Sequence, residues 1–226
     1  MDGDGHPELV IASQASRLLA YYDLPDDPRR EPWPRECFHL IAEDLREELE
    51  GLLVLDLDGD GQQELLAGPN VYRRDADGRW RASCFASDFV QTRVAAADFD
   101  GDGRIELVLC EGESNPGRLA VCRPPDFRPE VLRSDLFHPH SLQIADFDGD
   151  GRADIFVAEM GLEENPEPRM FIYRNLGELR FEEHVVQTGI PTHEAKAADL
   201  TGDGRPDIVG KPYAGRPRVD VWFNEC

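Results

Sequence analysis

No apolar stretch in this 226-residue chain is long enough to cross a bilayer, and a mean hydropathy of −0.50 is that of a soluble protein without membrane insertion. Basic residues are scarce. Against 46 Asp and Glu stand only 24 Lys and Arg, and the resulting net charge of −22 argues against nucleic acid as a partner. The opening MDGDGHPELV has neither a basic start nor an apolar core, so it does not read as a secretory signal peptide. The five cysteines, Cys37, Cys84, Cys110, Cys122 and Cys226, are odd in number and lack zinc-type spacing. Most fall on predicted strands, where buried free thiols are expected. Nucleophile elbow, phosphate loop and nucleotide fingerprint are all missing.

What is present is a crowding of acid. The stretch IADFDGDGRADIFVAEM, residues 144–160, places Asp146, Asp148, Asp150 and Asp154 directly before an apolar run. Carboxylates this close repel unless something neutralises them. A divalent cation suits the pattern: carboxylates at loop positions 1, 3, 5 and 9, a backbone carbonyl at position 7 (Arg152), and glycines at 4 and 6 where the chain must turn. Hard oxygen donors of this kind select calcium. The plainer alternative is a solvated acidic turn, since Asp and Gly are ordinary turn residues.

Repetition weighs against that alternative. The same offsets recur as Asp56, Asp58, Asp60 and Glu64 with Gln62 at position 7, and as Asp98, Asp100, Asp102 and Glu106 with Arg104. A further copy holds Asp199, Thr201, Asp203 and Asp207 with Arg205, and a partial one holds Asp2, Asp4 and Glu8 without a position 1. Four to five calcium ions are therefore expected, with weaker binding where Thr201 replaces an acid and where position 1 is missing. Even with four ions bound, the chain stays acidic.

An EF-hand would need a bidentate Glu at position 12 and flanking helices. Position 12 is Ala67, Leu109, Val157 and Gly210, which excludes it. The segment after each loop (ELLAGP, ELVLCEG, DIFVAEM, DIVGKPY) is short, rich in Leu, Val and Ile, and reads as strand. The stretches between supply further strands: RLLAYYDL and CFHLIAEDL, NVYRRD and WRASCFASD, RLAVCRP and EVLRSDLF, RMFIYRNL and LRFEEHVVQ, then EAKAADL. Loops beginning at 56, 98, 146 and 199 are spaced by about one four-stranded propeller blade. The predicted fold is all-β, a β-propeller of about five four-stranded blades with incomplete terminal blades, in one domain over residues 1–226. Each loop would join the innermost strand of a blade to the second.

The units ADFDGDGRIELV, ADFDGDGRADIFV and ADLTGDGRPDIV, with a GAP-like LAGP at 66–69, resemble the FG-GAP and VCBS repeats of integrin α-subunit propellers and of many bacterial extracellular proteins. The resemblance covers nearly the whole chain and implies a calcium-binding propeller placed outside the cell or at its surface. The sequence begins inside a loop and stops where a fourth strand would come next. This reads as a segment of a longer propeller or an open five-bladed array, with edges that invite self-association.

Fold alone does not choose an activity. The leading expectation is a binding or scaffold module for a carbohydrate or protein; the alternative is a polysaccharide lyase-like enzyme using His and Tyr as base and acid. Strand direction places the working face. Six residues before each loop stand Glu50, Thr92, His140 and His193, and the second strands end at Glu111, Glu159 and Lys211, with Glu194 and Tyr213 nearby. These positions would meet on the face opposite the metals. Candidate ligand-binding residues are thus Glu111, His140, Glu159, His193, Glu194 and Lys211, and candidate catalytic residues His140, His193 and Tyr213.

Overall fold

The computed structural model describes residues 5–45, 49–162 and 164–225, so Asp2, Asp4 and Cys226 lie outside the described residues. The chain is all-β, with eighteen strands in five antiparallel sheets among the described residues. The first sheet holds β1 (Glu8–Ser13), β2 (Leu18–Asp23) and β3 (Phe38–Ala42); the second holds β4 (Leu52–Leu55), β5 (Glu64–Ala67), β6 (Asn70–Arg74) and β7 (Trp80–Cys84). The third runs through β8 (Thr92–Ala97), β9 (Glu106–Glu111), β10 (Gly117–Arg123) and β11 (Arg128–Leu136). The fourth takes β12 (Ser141–Ala145), β13 (Asp154–Ala158), β14 (Arg169–Asn175) and β15 (Phe181–Thr188), and the fifth takes β16 (Glu194–Ala198), β17 (Asp207–Lys211) and β18 (Asp220–Trp222). Every sheet is a meander in chain order, as the evenly spaced strand segments predict.

Burial explains the strand compositions. The strands after the first three complete loops, β5, β9 and β13, are covered on both faces, so they read as continuous apolar runs: Leu107, Val108, Leu109 and Cys110 of β9 are all 0% exposed. Fully burying each Leu or Val contributes about 1.5–3 kcal/mol. Fourth strands such as β15 are mostly exposed and correspondingly charged. Apolar layers lie between successive sheets. Leu19 packs with Leu65 and Tyr72; Leu66 and Val71 with Leu107 and Ala120; Val108 and Leu119 with Ile155 and Phe171; Phe156 and Met170 with Ile208. Within the stack, β4 lies against β8, β8 against β12, and β12 against β16.

The cysteine expectation holds in part. Cys110 and Cys122 are buried, with thiols pushed up to about 12 by burial, and Cys110 Sγ donates to the Pro139 carbonyl at 3.0 Å. Cys84, at the end of an edge strand, is instead exposed, and Cys37, closing a short 3-10 turn, is half-buried.

One glycine sets how closely the second and third sheets approach. A Cβ on Gly51, just before β4, would stand 2.4 Å from the Val94 backbone nitrogen, while the Gly51 N–H donates to the Thr92 carbonyl at 3.0 Å. Gly51→Ala should therefore force the first strands of the two sheets apart and cost about 1–3 kcal/mol, measured by urea denaturation. A loss below about 0.5 kcal/mol would show that this contact does not set the spacing.

Candidate functional site

Two sites emerge, at opposite ends of the first strands. At one end the four complete loops share one hydrogen-bond pattern. The position-1 carboxylate accepts three backbone N–H groups; for Asp146 these come from Gly149, Asp150 and Gly151 at 2.8, 3.2 and 2.8 Å, and Asp56, Asp98 and Asp199 repeat the arrangement. The turn is possible because positions 4 and 6 adopt positive φ, +76° at Gly149 and +86° at Gly151, where only glycine is unstrained. The position-9 carboxylate opens the next strand and accepts the position-2 N–H: Leu57 to Glu64, Phe99 to Glu106, Phe147 to Asp154 and Leu200 to Asp207, all at 2.8–2.9 Å.

In three loops, the carboxylates at positions 1, 3 and 9 bring oxygens within 4.8 Å of one another: Asp56, Asp58 and Glu64; Asp98, Asp100 and Glu106; Asp146, Asp148 and Asp154. Burial, reinforced by the neighbouring acids, raises the carboxyl groups of Glu64, Glu106 and Asp154. Such a donor set is unfavourable alone and fits a hard divalent cation. The loop with Thr201 forms no such cluster among the described residues. The position-5 acids turn toward position 7 instead: the backbone N–H groups of Gln62, Arg104, Arg152 and Arg205 donate to Asp60, Asp102, Asp150 and Asp203 at 2.7–3.0 Å. Glu8 opens β1, in the position-9 place of the partial loop.

Four residues at this end were not anticipated by the repeat pattern. Asn175, closing β14, donates its own N–H to Asp154 Oδ1 at 2.8 Å and donates from Nδ2 to the Phe99 carbonyl of the preceding loop at 2.8 Å. Asn224 repeats this with Asp207 and the Phe147 carbonyl at 2.9 and 2.7 Å, so each asparagine ties its own loop to its neighbour's. Arg73 and Arg174, at matching places on β6 and β14, reach the position-3 acids Asp58 and Asp148. Only the recurrent YRN and WFN endings hinted at the asparagines.

The opposite end gathers the residues expected there from separate sheets. Arg93 stands at the hub. Its Nη2 lies 3.3 Å from Glu50, 3.4 Å from Glu194, and 2.8 and 2.9 Å from the ring nitrogens of His140. His140 is 3% exposed; its Nδ1 donates to the His193 carbonyl at 2.8 Å, and its Nε2 lies 2.9 Å from Glu113 and 3.3 Å from Glu50. The His140 and His193 rings stack at 4.1 Å, and the exposed Tyr213 continues the series 4.9 Å from His193. Lys211 Nζ approaches His193 Nδ1 at 3.1 Å. Arg93 and Glu113 lie outside the register that located the others.

Glu113, His140 and His193 bring ligand-type atoms within 4.8 Å of one another, but Arg93 already supplies a cation there, its Nη2 2.9 Å from His140 Nε2. Glu111 and Glu159 are absorbed by structure. Each forms a two-pronged pair with an arginine at the next strand, Arg118 and Arg169, and accepts a backbone N–H from the preceding turn, Val90 and Phe137. Thr92 is fully buried, with no hydrogen-bond partner for Oγ1 among the described residues.

The sequence profile of the FG-GAP-like repeat matches residues 56–109 and 146–210. The chain belongs to the FG-GAP-like repeat family. No curated protein matches it. Among solved structures, the V. cholerae biofilm matrix protein Bap1 is similar, with a TM-score of 0.51 and 18% identity over 97% of this chain. That likeness concerns fold alone, and the FG-GAP chain spans 35% of the Bap1 chain.

Burial holds the His193 imidazole down at about 4, helped by His140, Lys211 and Arg93 and opposed by Glu194. Between that value and the ordinary 6.5, the unfolded chain binds a proton that the folded chain refuses. The contribution is therefore complete above about pH 6.5 and is lost as pH falls toward 4. His193→Leu should flatten the stability profile across this window in pH-dependent urea melts, and an unchanged slope would refute the assignment.

Proposed function

We propose that this FG-GAP chain is a calcium-stabilised binding module: successive blades of a β-propeller in a single domain over residues 1–226, working outside the cell or at its surface. The observation that carries it is the polarity of the repeat. All four complete loops stand at one end of the first strands, while Glu50, Arg93, His140, His193 and Glu194 from separate sheets converge at the other. One end is built to be held by ions and the other to present polar groups around an exposed Tyr213. The ligand is a carbohydrate or a protein. Tyr213 offers a stacking face with Lys211 and Glu194 beside it. Glu111 and Glu159 support this surface without contacting the ligand, because their arginines engage both oxygens.

Calcium would be held by the acids at positions 1, 3 and 9, with position 5 joining once its Arg or Gln partner yields. Binding to the native loops alone stabilises the fold by RT ln(1 + [L]/Kd) per site. EGTA should lower the melting temperature substantially, and Asp148→Ala should remove one ion by calorimetric stoichiometry. No calcium uptake, or melting indifferent to EGTA, would overturn the reading of the loops.

A second reading, lyase-like turnover, draws on the neutral His193 beside Tyr213. In it His193 takes the proton α to a uronate carboxylate and Tyr213 protonates the leaving oxygen. A glycan array paired with ultraviolet assays on acidic polysaccharides separates the two. His140→Ala and His193→Ala should each weaken binding of the glycan found, at retained calcium stability. Unchanged affinity and rate in both would move the site off this face.

A further inference from the structure

Each four-stranded sheet carries an arginine at one matching place on its third strand. Tyr72, Cys122 and Tyr173 pair with Leu65, Leu107 and Ile155, the residues that follow loop position 9, and the next residue is in turn Arg73, Arg123 or Arg174. In the fifth sheet Trp222 pairs with Ile208 and the next residue is Phe223, while the loop beside it has Thr201 at position 3. An arginine thus stands where position 3 is acidic, and a phenylalanine where it is not.

The three arginines are engaged differently. Arg73 Nη2 lies 3.3 Å from Asp58 and its Nε lies 3.7 Å from Glu64, so one guanidinium spans the position-3 and position-9 carboxylates of its loop. Arg174 pairs with Asp148 at position 3 and stands 3.6 Å from Asp150 at position 5. Arg123 pairs instead with Glu130 of β11 at 3.4 Å. Asp100, the position-3 acid beside it, accepts the Asp102 N–H at 3.2 Å and has no ion pair among the described residues, because Arg104 takes Asp102. Of the three carboxylate clusters at positions 1, 3 and 9, only that of Asp98, Asp100 and Glu106 has no arginine paired to its position-3 acid.

A guanidinium on a donor carboxylate opposes a divalent cation twice: its ion pair must be given up, and its charge repels the ion. The side chains of Arg73 and Arg174 are 42% and 40% exposed, so water screens both effects and leaves each arginine room to withdraw. They hinder the ion without excluding it.

We propose, on the reading of the loops as calcium sites, that Arg73 and Arg174 are resident counter-cations that compete with calcium at position 3, so that the loop from Asp98 to Glu106 fills first. The loops from Asp56 and Asp146 then fill at higher calcium concentration, as their arginines are displaced. The two arginines hold the acids in place when the ion is absent and set the concentration at which it enters. Calcium would accordingly act on the central sheet before its neighbours.

The test is calorimetric titration of the 226-residue chain with calcium chloride. One site should bind ahead of the others, and Asp100→Asn should remove that tight step alone. Arg73→Gln and Arg174→Gln should each tighten one of the weaker sites by roughly three- to tenfold. Arg123→Gln should change none. In EGTA the Arg73→Gln and Arg174→Gln chains should melt below the parent, and saturating calcium should erase that deficit, which a merely structural role for the arginines would not produce. Weaker or unchanged calcium binding in both variants, equal tightening by Arg123→Gln, or a tight step that survives Asp100→Asn would overturn the competition while leaving the loops as calcium sites. No calcium uptake by the parent chain would overturn both.

Discussion

A carboxylate at the first residue of each second strand is the constraint on which the rest depends. Glu64, Glu106, Asp154 and Asp207 are nearly or fully buried, yet each must begin an apolar strand. A buried carboxylate is tolerable only when its oxygens are hydrogen-bonded and its charge is offset. One oxygen caps the position-2 N–H, which shapes the loop; in two sheets the other accepts the N–H of an asparagine, Asn175 at the end of the third strand or Asn224 two residues past it. That asparagine then reaches the preceding loop. One buried charge thus links loop, sheet and neighbouring sheet, and a cation added to the same cluster would stabilise all three together.

The opposite end is held differently. No repeated loop governs it, and its groups are not equivalent from sheet to sheet: Glu50, Thr92, His140 and His193 occupy one register with four different surroundings. Arg93 compensates by bridging Glu50 and Glu194 across sheets. Repetition at one end and divergence at the other is the expected division between a scaffold and a surface that recognises something. The divergent end can change its side chains without disturbing the loops that hold the sheets.

Packing between sheets adds a third element of order. The aromatic residue introducing each fourth strand, Trp80, Phe127 or Phe181, locks a sheet onto its predecessor. In the fourth sheet Phe181 sits opposite the loop-linking Asn175. Loop geometry and intersheet packing are there coupled through one residue pair, so disturbing the loop from Asp146 to Asp154 should be felt at the junction with the third sheet.

Much of this was legible in the sequence, because it depends on short-range pattern. Strand segments, loop positions and the antiparallel meander come from local periodicity and from glycines whose positive φ the turn requires. Strand direction alone placed His140 and His193 side by side, and their rings stack. The sequence by itself could not assign Arg93 and Glu113 to that cluster, turn Glu111 and Glu159 into arginine clasps, or expose Cys84 while burying Cys110. Those outcomes depend on distances between residues far apart in the chain and on which strand ends at an edge. Spacing along a strand is fixed by the backbone, whereas contact between sheets is fixed only when their side chains pack.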